Sequence, residues 1–82
     1  MILATEVPMP DLSTLDYTME NGTVTKWYRK EGEKVQKGEP LLEIMSAKVT
    51  MDIEAPATGV LSKIVVQDGS EVPPGTVLAT IE

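Results

Sequence analysis

The chain has 82 residues, and its thirteen Asp and Glu outnumber seven Lys and Arg to give a formal net charge of −6. A chain of this length forms one compact domain, so we expect a single domain over 1–82 with its core from about 6 to 82. Cys and His are absent, which excludes disulfides, thiolate and imidazole metal sites, a cysteine nucleophile, and the usual general base near neutral pH. The acidic balance also disfavours nucleic acid, whose binding depends on Lys and Arg.

The first six residues lack the basic region and long apolar stretch of a secretory signal. No apolar run approaches the roughly 20 residues that span a bilayer, so we expect a soluble, intracellular module with no membrane partner. Phe is absent, and the aromatic residues are Tyr17, Trp27 and Tyr28. The core must therefore consist of Val, Ile, Leu and Met, and the β-branched residues among these favour strands.

One pattern of residues occurs twice, over 21–44 and over 58–81, with a constant offset of 37 positions. Seven pairs at this offset are identical: Gly22–Gly59, Lys26–Lys63, Gly32–Gly69, Val35–Val72, Gly38–Gly75, Leu41–Leu78 and Ile44–Ile81. Because the matches keep one register without a gap, we interpret the two segments as an internal repeat.

Each copy of the repeat predicts a strand, a turn, a short bridging segment, a second turn and another strand. The first turn is expected at Glu31-Gly32 or Asp68-Gly69, and the second at Gly38 or Gly75, because glycine reaches positive φ at low steric cost. The apolar runs between the turns are too short for typical helices. Two copies are too few for an open array, so they predict a small β-sandwich or flattened barrel with pseudo-twofold symmetry.

Between the two copies, the sequence predicts a β-hairpin. Apolar and polar residues alternate strictly over 49–54, as in a strand with one buried face. The tip then falls at Ser46-Ala47-Lys48-Val49, where the central pair suits a type I turn with Ser46 as its first residue. Hairpins usually place Asn or Gly at such a pair, and departures from preferred turn chemistry often mark functional sites. Lys48 is therefore a candidate functional residue, although a lone strand-end lysine is more often a solvated charge or a guard against edge pairing.

Several ordered segments resemble the lipoyl domains of 2-oxo-acid dehydrogenase complex dihydrolipoyl acyltransferases, within the biotinyl/lipoyl attachment family. They are Met9-Pro10-Asp11-Leu12-Ser13, Met19-Glu20-Asn21-Gly22-Thr23-Val24 with Lys26-Trp27, Glu31-Gly32-Glu33-Lys34-Val35, and Gly38-Glu39-Pro40-Leu41-Leu42-Glu43-Ile44. Lys48 stands where that family carries its lipoyl-lysine, with Gly59 eleven residues beyond it. The resemblance runs from about Glu6 to Glu82.

This resemblance implies an all-β fold of two four-stranded antiparallel sheets, a barrel-sandwich hybrid with pseudo-twofold symmetry. The lipoyl-lysine would lie at a hairpin tip, flanked by the tip residues Ser46, Ala47 and Val49, and the two chain ends would lie at the opposite end of the domain. The module would be a carrier and not an enzyme by itself, and it would form part of a dihydrolipoyl acyltransferase.

The resemblance also implies a cofactor and its partners. In the holo form, lipoic acid covalently bound to Lys48 accepts an acyl group from a thiamine-diphosphate-dependent 2-oxo-acid decarboxylase component. The arm delivers that group to the acyltransferase catalytic core, and dihydrolipoamide dehydrogenase reoxidises it. A lipoate–protein ligase or lipoyl transferase would attach the cofactor, and the excised domain would be a monomer. The implied location is the cytoplasm of a bacterium or archaeon, or the mitochondrial matrix of a eukaryote.

One departure from the family pattern lies at the attachment motif. The family commonly has Asp immediately before the lysine and often Glu three residues before it, whereas this chain has Ala47 and Met45. The turn needs neither acid, so we expect Lys48 to be presented correctly. We expect the lost negative charge to weaken recognition by the decarboxylase or by the lipoylating enzyme, which makes Met45 a candidate recognition residue.

A second departure is the segment from Ser13 to Asn21, which is longer than the usual connection. In this fold it lies beside the lipoyl hairpin, so Leu15, Asp16 and Tyr17 are candidates for choosing the decarboxylase partner. A tolerated surface insertion is an equal alternative, because the cost of closing a loop grows slowly with its length.

Three alternative functions differ in class. A biotinyl carrier domain shares the fold, but its tip resembles Ala-Met-Lys-Met, whereas Lys48 here has Ala47 and Val49 as neighbours. An unmodified lipoyl-like interaction module need not keep a lysine at the tip. An enzyme is disfavoured because Asp52 and Glu54, paired on one strand face, are more often solvated charges than an acid and a base.

Overall fold

The computed structural model describes residues 4–10, 21–46 and 49–82. Within these ranges the chain forms eight strands and no helix: β1 (Thr5–Pro8), β2 (Gly22–Trp27), β3 (Lys34–Val35), β4 (Pro40–Met45), β5 (Thr50–Glu54), β6 (Gly59–Ile64), β7 (Glu71–Val72) and β8 (Val77–Ile81). The all-β prediction is confirmed, including the strand that the alternation over 49–54 predicts.

The strands form two four-stranded antiparallel sheets, one in the order β1-β8-β6-β3 and the other in the order β5-β4-β2-β7. The repeat maps β2, β3 and β4 onto β6, β7 and β8. Each copy places its short middle strand in the sheet of the other copy, since β3 pairs with β6 and β7 pairs with β2. This exchange ties the two halves into one domain.

Hydrogen bonds between the halves follow the offset of the repeat. The Gly32 N–H donates to the Leu61 carbonyl at 2.8 Å, and the equivalent Gly69 N–H donates to the Val24 carbonyl at 2.6 Å. The Leu61 N–H in turn donates to Glu33, and the Val24 N–H donates to Ser70, both at 2.9 Å. These matched pairs confirm the predicted pseudo-twofold symmetry at the level of single backbone groups.

All four predicted glycine turns occur, and each has its glycine at positive φ: Gly32, Gly38, Gly69 and Gly75, with φ between 86° and 93°. A side chain at such φ is strained, which explains why glycine recurs at these positions in both copies. The positions of these four turns therefore follow from local backbone chemistry.

The second turn of each copy satisfies its polar groups in a different way. In the first copy, Glu39 accepts a hydrogen bond from Arg29 at 2.6 Å and another from the Gln36 N–H at 2.7 Å, and these two contacts, in that order, lower the pKa of the Glu39 carboxyl. In the second copy, Pro73 has no N–H to offer, and the Thr76 hydroxyl donates to the Pro73 carbonyl at 2.7 Å. In each copy, the side chain at the last position of the turn bonds the backbone group that the first position offers, an N–H at Gln36 and a carbonyl at Pro73.

The core lies between the sheets and is aliphatic. Among the described residues, the buried hydrophobic side chains are Val7, Met9, Val24, Val35, Leu41, Leu42, Ile44, Ala55, Leu61, Val66, Leu78, Ala79 and Ile81. Several are related by the repeat offset, such as Leu41 with Leu78 and Ile44 with Ile81. Trp27 packs against this core, and its indole N–H donates to the Val66 carbonyl at 2.9 Å, linking the two halves.

The end of β8 lies at the same end of the domain as the turn that connects β5 to β6. Glu82 exchanges two hydrogen bonds with Val60, at 2.8 and 2.9 Å, beside the pair formed by Gly59 and Val35. The Gly38 N–H donates to Ala55 at 2.9 Å next to this group. β4 starts here and runs away toward Met45, so the hairpin connection lies at the opposite end from Glu82, as the resemblance implies.

Candidate attachment site at the β4–β5 hairpin

The β4–β5 hairpin is closed by hydrogen bonds between Ser46 and Val49. The Ser46 N–H donates to the Val49 carbonyl at 2.8 Å, and the Val49 N–H donates to the Ser46 hydroxyl oxygen at 3.2 Å. A serine side chain that bonds a backbone N–H three residues on is a common turn-initiating contact. The chain has two residues between this closing pair, Ala47 and Lys48. Both lie outside the described residues, so the role of Lys48 stays a prediction.

The two methionines of this hairpin lie on opposite faces of the sheet. Met51 lies opposite Ile44, which is fully buried, and it packs against the core. Met45 lies opposite Thr50 on β5 and opposite Thr23 on β2, and 44% of its surface is exposed. Met45 therefore presents a thioether on the outer face of the sheet, one residue before the closing pair, and its role in recognition stays a prediction.

A polar network on the outer face braces the hairpin. Glu43 on β4 lies directly opposite Asp52 on β5, an arrangement of like charges that destabilises a sheet unless other groups compensate. The Tyr28 hydroxyl compensates, because it donates to Asp52 Oδ1 at 2.8 Å and lies 3.4 Å from Glu43 Oε2. The hydrogen bond to Asp52, reinforced by both negative charges, raises the pKa of Tyr28 to about 12.

The same network reaches back to β2. Thr25 sits at a bulge in the β2–β4 ladder, and its hydroxyl donates to Glu43 Oε1 at 2.7 Å. The Lys26 ammonium lies 4.0 Å from Glu43 Oε2 and 5.5 Å from the centre of the Tyr28 ring. Thr25 and Lys26 thus link β2 to β4, whereas Tyr28 contacts both hairpin strands.

Asp52 and Glu54 share the exposed face of β5, as predicted, and Asp52 is engaged by Tyr28. Over 4–10, 21–46 and 49–82, no group of three or more His, Cys, Asp or Glu has the geometry to hold a metal ion. In the same ranges no helix has the length and apolarity to cross a bilayer.

The segment that contains Leu15, Asp16 and Tyr17 lies outside the described residues, but both of its described flanks lie at the hairpin end. Before it, Met9 exchanges hydrogen bonds of 2.8 Å with the turn between β7 and β8. After it, Gly22 pairs with Val72 just before that turn. The next residue, Thr23, lies opposite Met45 on β4, so both described flanks lie near the end of β4.

Sequence reasoning missed the bracing role of Tyr28. In the sequence it follows the first strand of the repeat, and its counterpart at the repeat offset is Val65, so no symmetry marks it as special. The one signal in the sequence was that Tyr28 is one of only three aromatic residues in the chain. Its partner Asp52 is 24 positions away, and only the strand register brings the two together.

Comparison with known proteins identifies the family. A protein-family model described as "Biotin-requiring enzyme" (Biotin_lipoyl) matches residues 5–81, almost the whole chain. The chain belongs to the biotin/lipoyl domain family. The family assignment agrees with the all-strand fold and with the hairpin that Ser46 and Val49 close.

Two relatives with similar sequences carry lipoyl names. The dihydrolipoyllysine-residue acetyltransferase component of the acetoin cleaving system of Bacillus subtilis is 44% identical over 79 residues, 96% of this chain and 19% of the relative. The corresponding component of the mitochondrial pyruvate dehydrogenase complex of Caenorhabditis elegans is 46% identical over 71 residues, 85% of this chain and 14% of the relative. This chain thus spans a fifth or less of the length of these relatives.

A solved structure confirms the fold. The solution structure of the lipoyl domain of the 2-oxoglutarate dehydrogenase complex from Azotobacter vinelandii matches with a TM-score of 0.71 and 30% identity, covering 99% of this chain and 96% of that one. The predicted resemblance to lipoyl domains of dihydrolipoyl acyltransferases is therefore confirmed. The lipoyl interpretation of this biotin/lipoyl domain fits the comparisons better than the biotinyl one.

Proposed function

We propose that this chain is the lipoyl carrier domain of a 2-oxo-acid dehydrogenase-type multienzyme complex, with Lys48 as its attachment residue. The observation that carries the proposal is the closing pair of the hairpin. Hydrogen bonds between Ser46 and Val49 leave only Ala47 and Lys48 to connect β4 to β5. Among side chains, the lysine amine is the one that forms a stable amide with a carboxylic acid such as lipoic acid.

The described residues fit a covalently carried group. An amide at Lys48 requires no binding cleft, and the hairpin that carries this residue is held by its own closing bonds and by Tyr28. When bound, lipoyl-lysine supplies a disulfide that accepts an acyl group together with two electrons. Cys is absent from the chain, so no protein thiol competes in thiol–disulfide exchange. Amide formation also removes the Lys48 charge, which makes the domain one unit more negative than its formal −6.

In this proposal the chain itself is not catalytic and works by presentation. The hairpin is anchored to a closed core, so it limits the orientations that the attachment residue samples, and binding enzymes lose less conformational freedom. Carriage on a tethered domain raises the effective concentration of the group at successive active sites. The cofactor supplies the chemistry, and the protein supplies position and recognition.

The partners follow from the family and from the names of the relatives. They are a thiamine-diphosphate-dependent 2-oxo-acid decarboxylase, an acyltransferase core, dihydrolipoamide dehydrogenase, and a lipoate–protein ligase or lipoyl transferase. The relatives belong to acetoin and pyruvate systems, so either substrate class is compatible with this chain. We place the complex in the bacterial or archaeal cytoplasm or the mitochondrial matrix.

The test is enzymatic labelling of Lys48. The protein is incubated with lipoate–protein ligase and lipoate or, separately, with biotin–protein ligase and biotin, and then measured by intact mass and tryptic mapping. We expect one lipoyl group per chain and loss of tryptic cleavage after Lys48, since an acylated lysine is not a trypsin site. Lys48→Arg should abolish labelling, whereas Lys63→Arg, at an exposed lysine on β6, should leave it unchanged.

Other outcomes contradict the proposal. A biotin adduct at Lys48, with no lipoyl adduct, assigns the domain to biotin-dependent carboxylases. No adduct from either ligase favours an unmodified interaction module. Labelling that persists in Lys48→Arg shows that another amine is the acceptor.

A further inference from the structure

The structure distinguishes three methionines by the exposure of their side chains. Met9 is 1% exposed and belongs to the core, and Met51 is partly buried and packs against the core from the inner face of β5. Met45 is 44% exposed on the outer face of β4. Met45 and Met51 therefore belong to one hairpin but differ in their access to solvent.

This difference matters because a methionine thioether reacts with hydrogen peroxide. A sulfur lone pair attacks one peroxide oxygen, the O–O bond breaks, and the released oxygen takes up a proton and leaves as water. The sulfur gains the other oxygen and is oxidised by two electrons to the sulfoxide, while the peroxide is reduced. The reaction needs contact between sulfur and peroxide, so an exposed methionine reacts before a buried one, and methionine sulfoxide reductases reverse it.

The neighbours of Met45 make its oxidation tolerable for the fold. Its cross-strand neighbours Thr23 and Thr50 are on the same outer face, so a sulfoxide oxygen there stays in contact with water. An oxygen on Met51 would instead face Ile44 and the core, where a polar group without a partner is costly. Oxidation at Met45 therefore changes the surface while the sandwich remains folded.

The position of Met45 links that surface to Lys48. Met45 is one residue before the closing pair of the hairpin, so about two strand rises, roughly 7 Å, separate it from the start of the connection. An enzyme that reaches the Lys48 side chain must approach this end of the hairpin. Met is favoured at surfaces that bind several partners because its side chain is flexible and polarisable, and the sulfoxide lacks that apolar character.

We propose that Met45 is a peroxide-sensitive modification site, and that its sulfoxide slows the enzymes that act on Lys48. The first half concerns only the exposure of Met45 relative to Met51 and Met9. The second half rests on the proposed function, because it concerns enzymes that modify or acylate the attachment lysine.

The first experiment compares Met45 with Met51 in the unmodified chain. The protein is exposed to limiting hydrogen peroxide, quenched at intervals, and digested with trypsin. Cleavage after Lys37, Lys48 and Lys63 gives adjacent peptides, 38–48 and 49–63, that contain Met45 and Met51 as their single methionines. We expect the peptide with Met45 to gain one oxygen atom at least about fivefold faster. Equal rates, or faster oxidation of Met51 or Met9, would overturn the assignment.

The second experiment measures the initial rate of lipoylation by lipoate–protein ligase before and after peroxide treatment. Each protein is normalised to its own untreated rate, and circular dichroism confirms that the treated protein is folded. We expect about a threefold loss in the wild type, restored by methionine sulfoxide reductases, and no loss in Met45→Leu. A wild type with oxidised Met45 and an unchanged rate would overturn the second half, as would an equal loss in Met45→Leu.

Failure of the proposed function has a different signature. If the untreated protein accepts no lipoate, the attachment proposal and the effect on lipoylation both fail. The peptide comparison still decides whether Met45 is the peroxide-sensitive methionine of the hairpin.

Discussion

The β4–β5 pair and the β8–β1 pair occupy equivalent places in the two sheets, yet they are connected differently. At one end of the first pair, the Ala55 N–H donates to the Glu39 carbonyl at 2.8 Å. At the equivalent place in the second pair, the Met9 N–H donates to the Thr76 carbonyl at 2.8 Å. β4 continues directly into β5 through the closing residues, whereas β8 and β1 are paired strands from distant parts of the chain.

This difference shows how a symmetric scaffold gains a closed connection in one half that the other half lacks. The repeated hydrogen bonds build two similar strand pairs, and the order of strands along the chain makes a closed connection in only one of them. The symmetry places Glu82 at the other end of the domain from that connection. The closing pair of Ser46 and Val49 and the end of β8 are therefore separated by the length of the sandwich.

The largest effects are expected where the two halves share one core. Leu41 and Leu78 are equivalent in the repeat and both are fully buried. Truncation of a buried leucine to alanine costs about 2–5 kcal/mol, so each variant should lose most of the stability of a domain of this size. We expect Leu41→Ala and Leu78→Ala to lose similar free energies of unfolding, agreeing within about 1 kcal/mol, in urea denaturation followed by circular dichroism. A large loss in one variant alone would show that the core is not shared evenly.

A smaller effect is expected where the start of β6 meets the end of β8. A methyl group at Gly59 would overlap the Glu82 carbonyl oxygen and press on the Ile81 side chain. Overpacking of this kind costs about 1–3 kcal/mol, so Gly59→Ala should lower the free energy of unfolding by that amount. In a chain that lacks Glu82 the same substitution should cost less, because the overlapping carbonyl is removed. The reference for that comparison is the shortened chain with Gly59, which has already lost the two hydrogen bonds between Glu82 and Val60. A loss that is unchanged by the deletion would contradict this account.

The smallest effect is expected from the hydrogen bond of Tyr28 to the hairpin, for which the other half of the repeat has Val65 at the equivalent position. The folded protein raises the pKa of Tyr28 from 10.0 to about 12, so it holds the phenol proton more tightly than the unfolded chain does. The resulting stabilisation is complete below pH 10 and is lost as the pH rises toward about 12. Tyr28→Phe should therefore be modestly less stable at neutral pH, and the difference from the wild type should shrink over that alkaline interval.

The measurement is the urea midpoint of both proteins between pH 8 and about 12, combined with hydrogen exchange of the β5 amides. Val65→Thr, at the equivalent position in the other half, is the matched control and should leave the alkaline dependence of the wild type intact. If the difference in urea midpoint between Tyr28→Phe and the wild type stays constant across this interval, the hydrogen bond from Tyr28 to Asp52 does not stabilise the hairpin.

Local patterns were sufficient to predict most of the fold. Glycine at Gly32, Gly38, Gly69 and Gly75 marks the turns, because positive φ is a property of single residues. Alternation over 49–54 predicts β5 because side chains on a strand point to opposite faces in turn. The closing contact of Ser46 also agrees with its predicted place at the start of the turn.

Contacts between distant residues were not predictable in this way. The pairing of Tyr28 with Asp52 and the approach of Gly59 to Glu82 depend on which residues face each other across strands. A shift of one residue in a strand turns every side chain to the other face, so these contacts depend on the final register. The exchange of β3 and β7 between the sheets has the same origin.

The amino-acid order was enough to specify the strands, the turns, the repeat and the candidate lysine, since each depends on a few neighbouring residues. The assembled sandwich specified which face each side chain occupies, so that Met45 is exposed, Met51 packs inward and Tyr28 braces the hairpin. The physical reason is that exposure and side-chain pairing depend on the packing of two sheets, which no single segment contains.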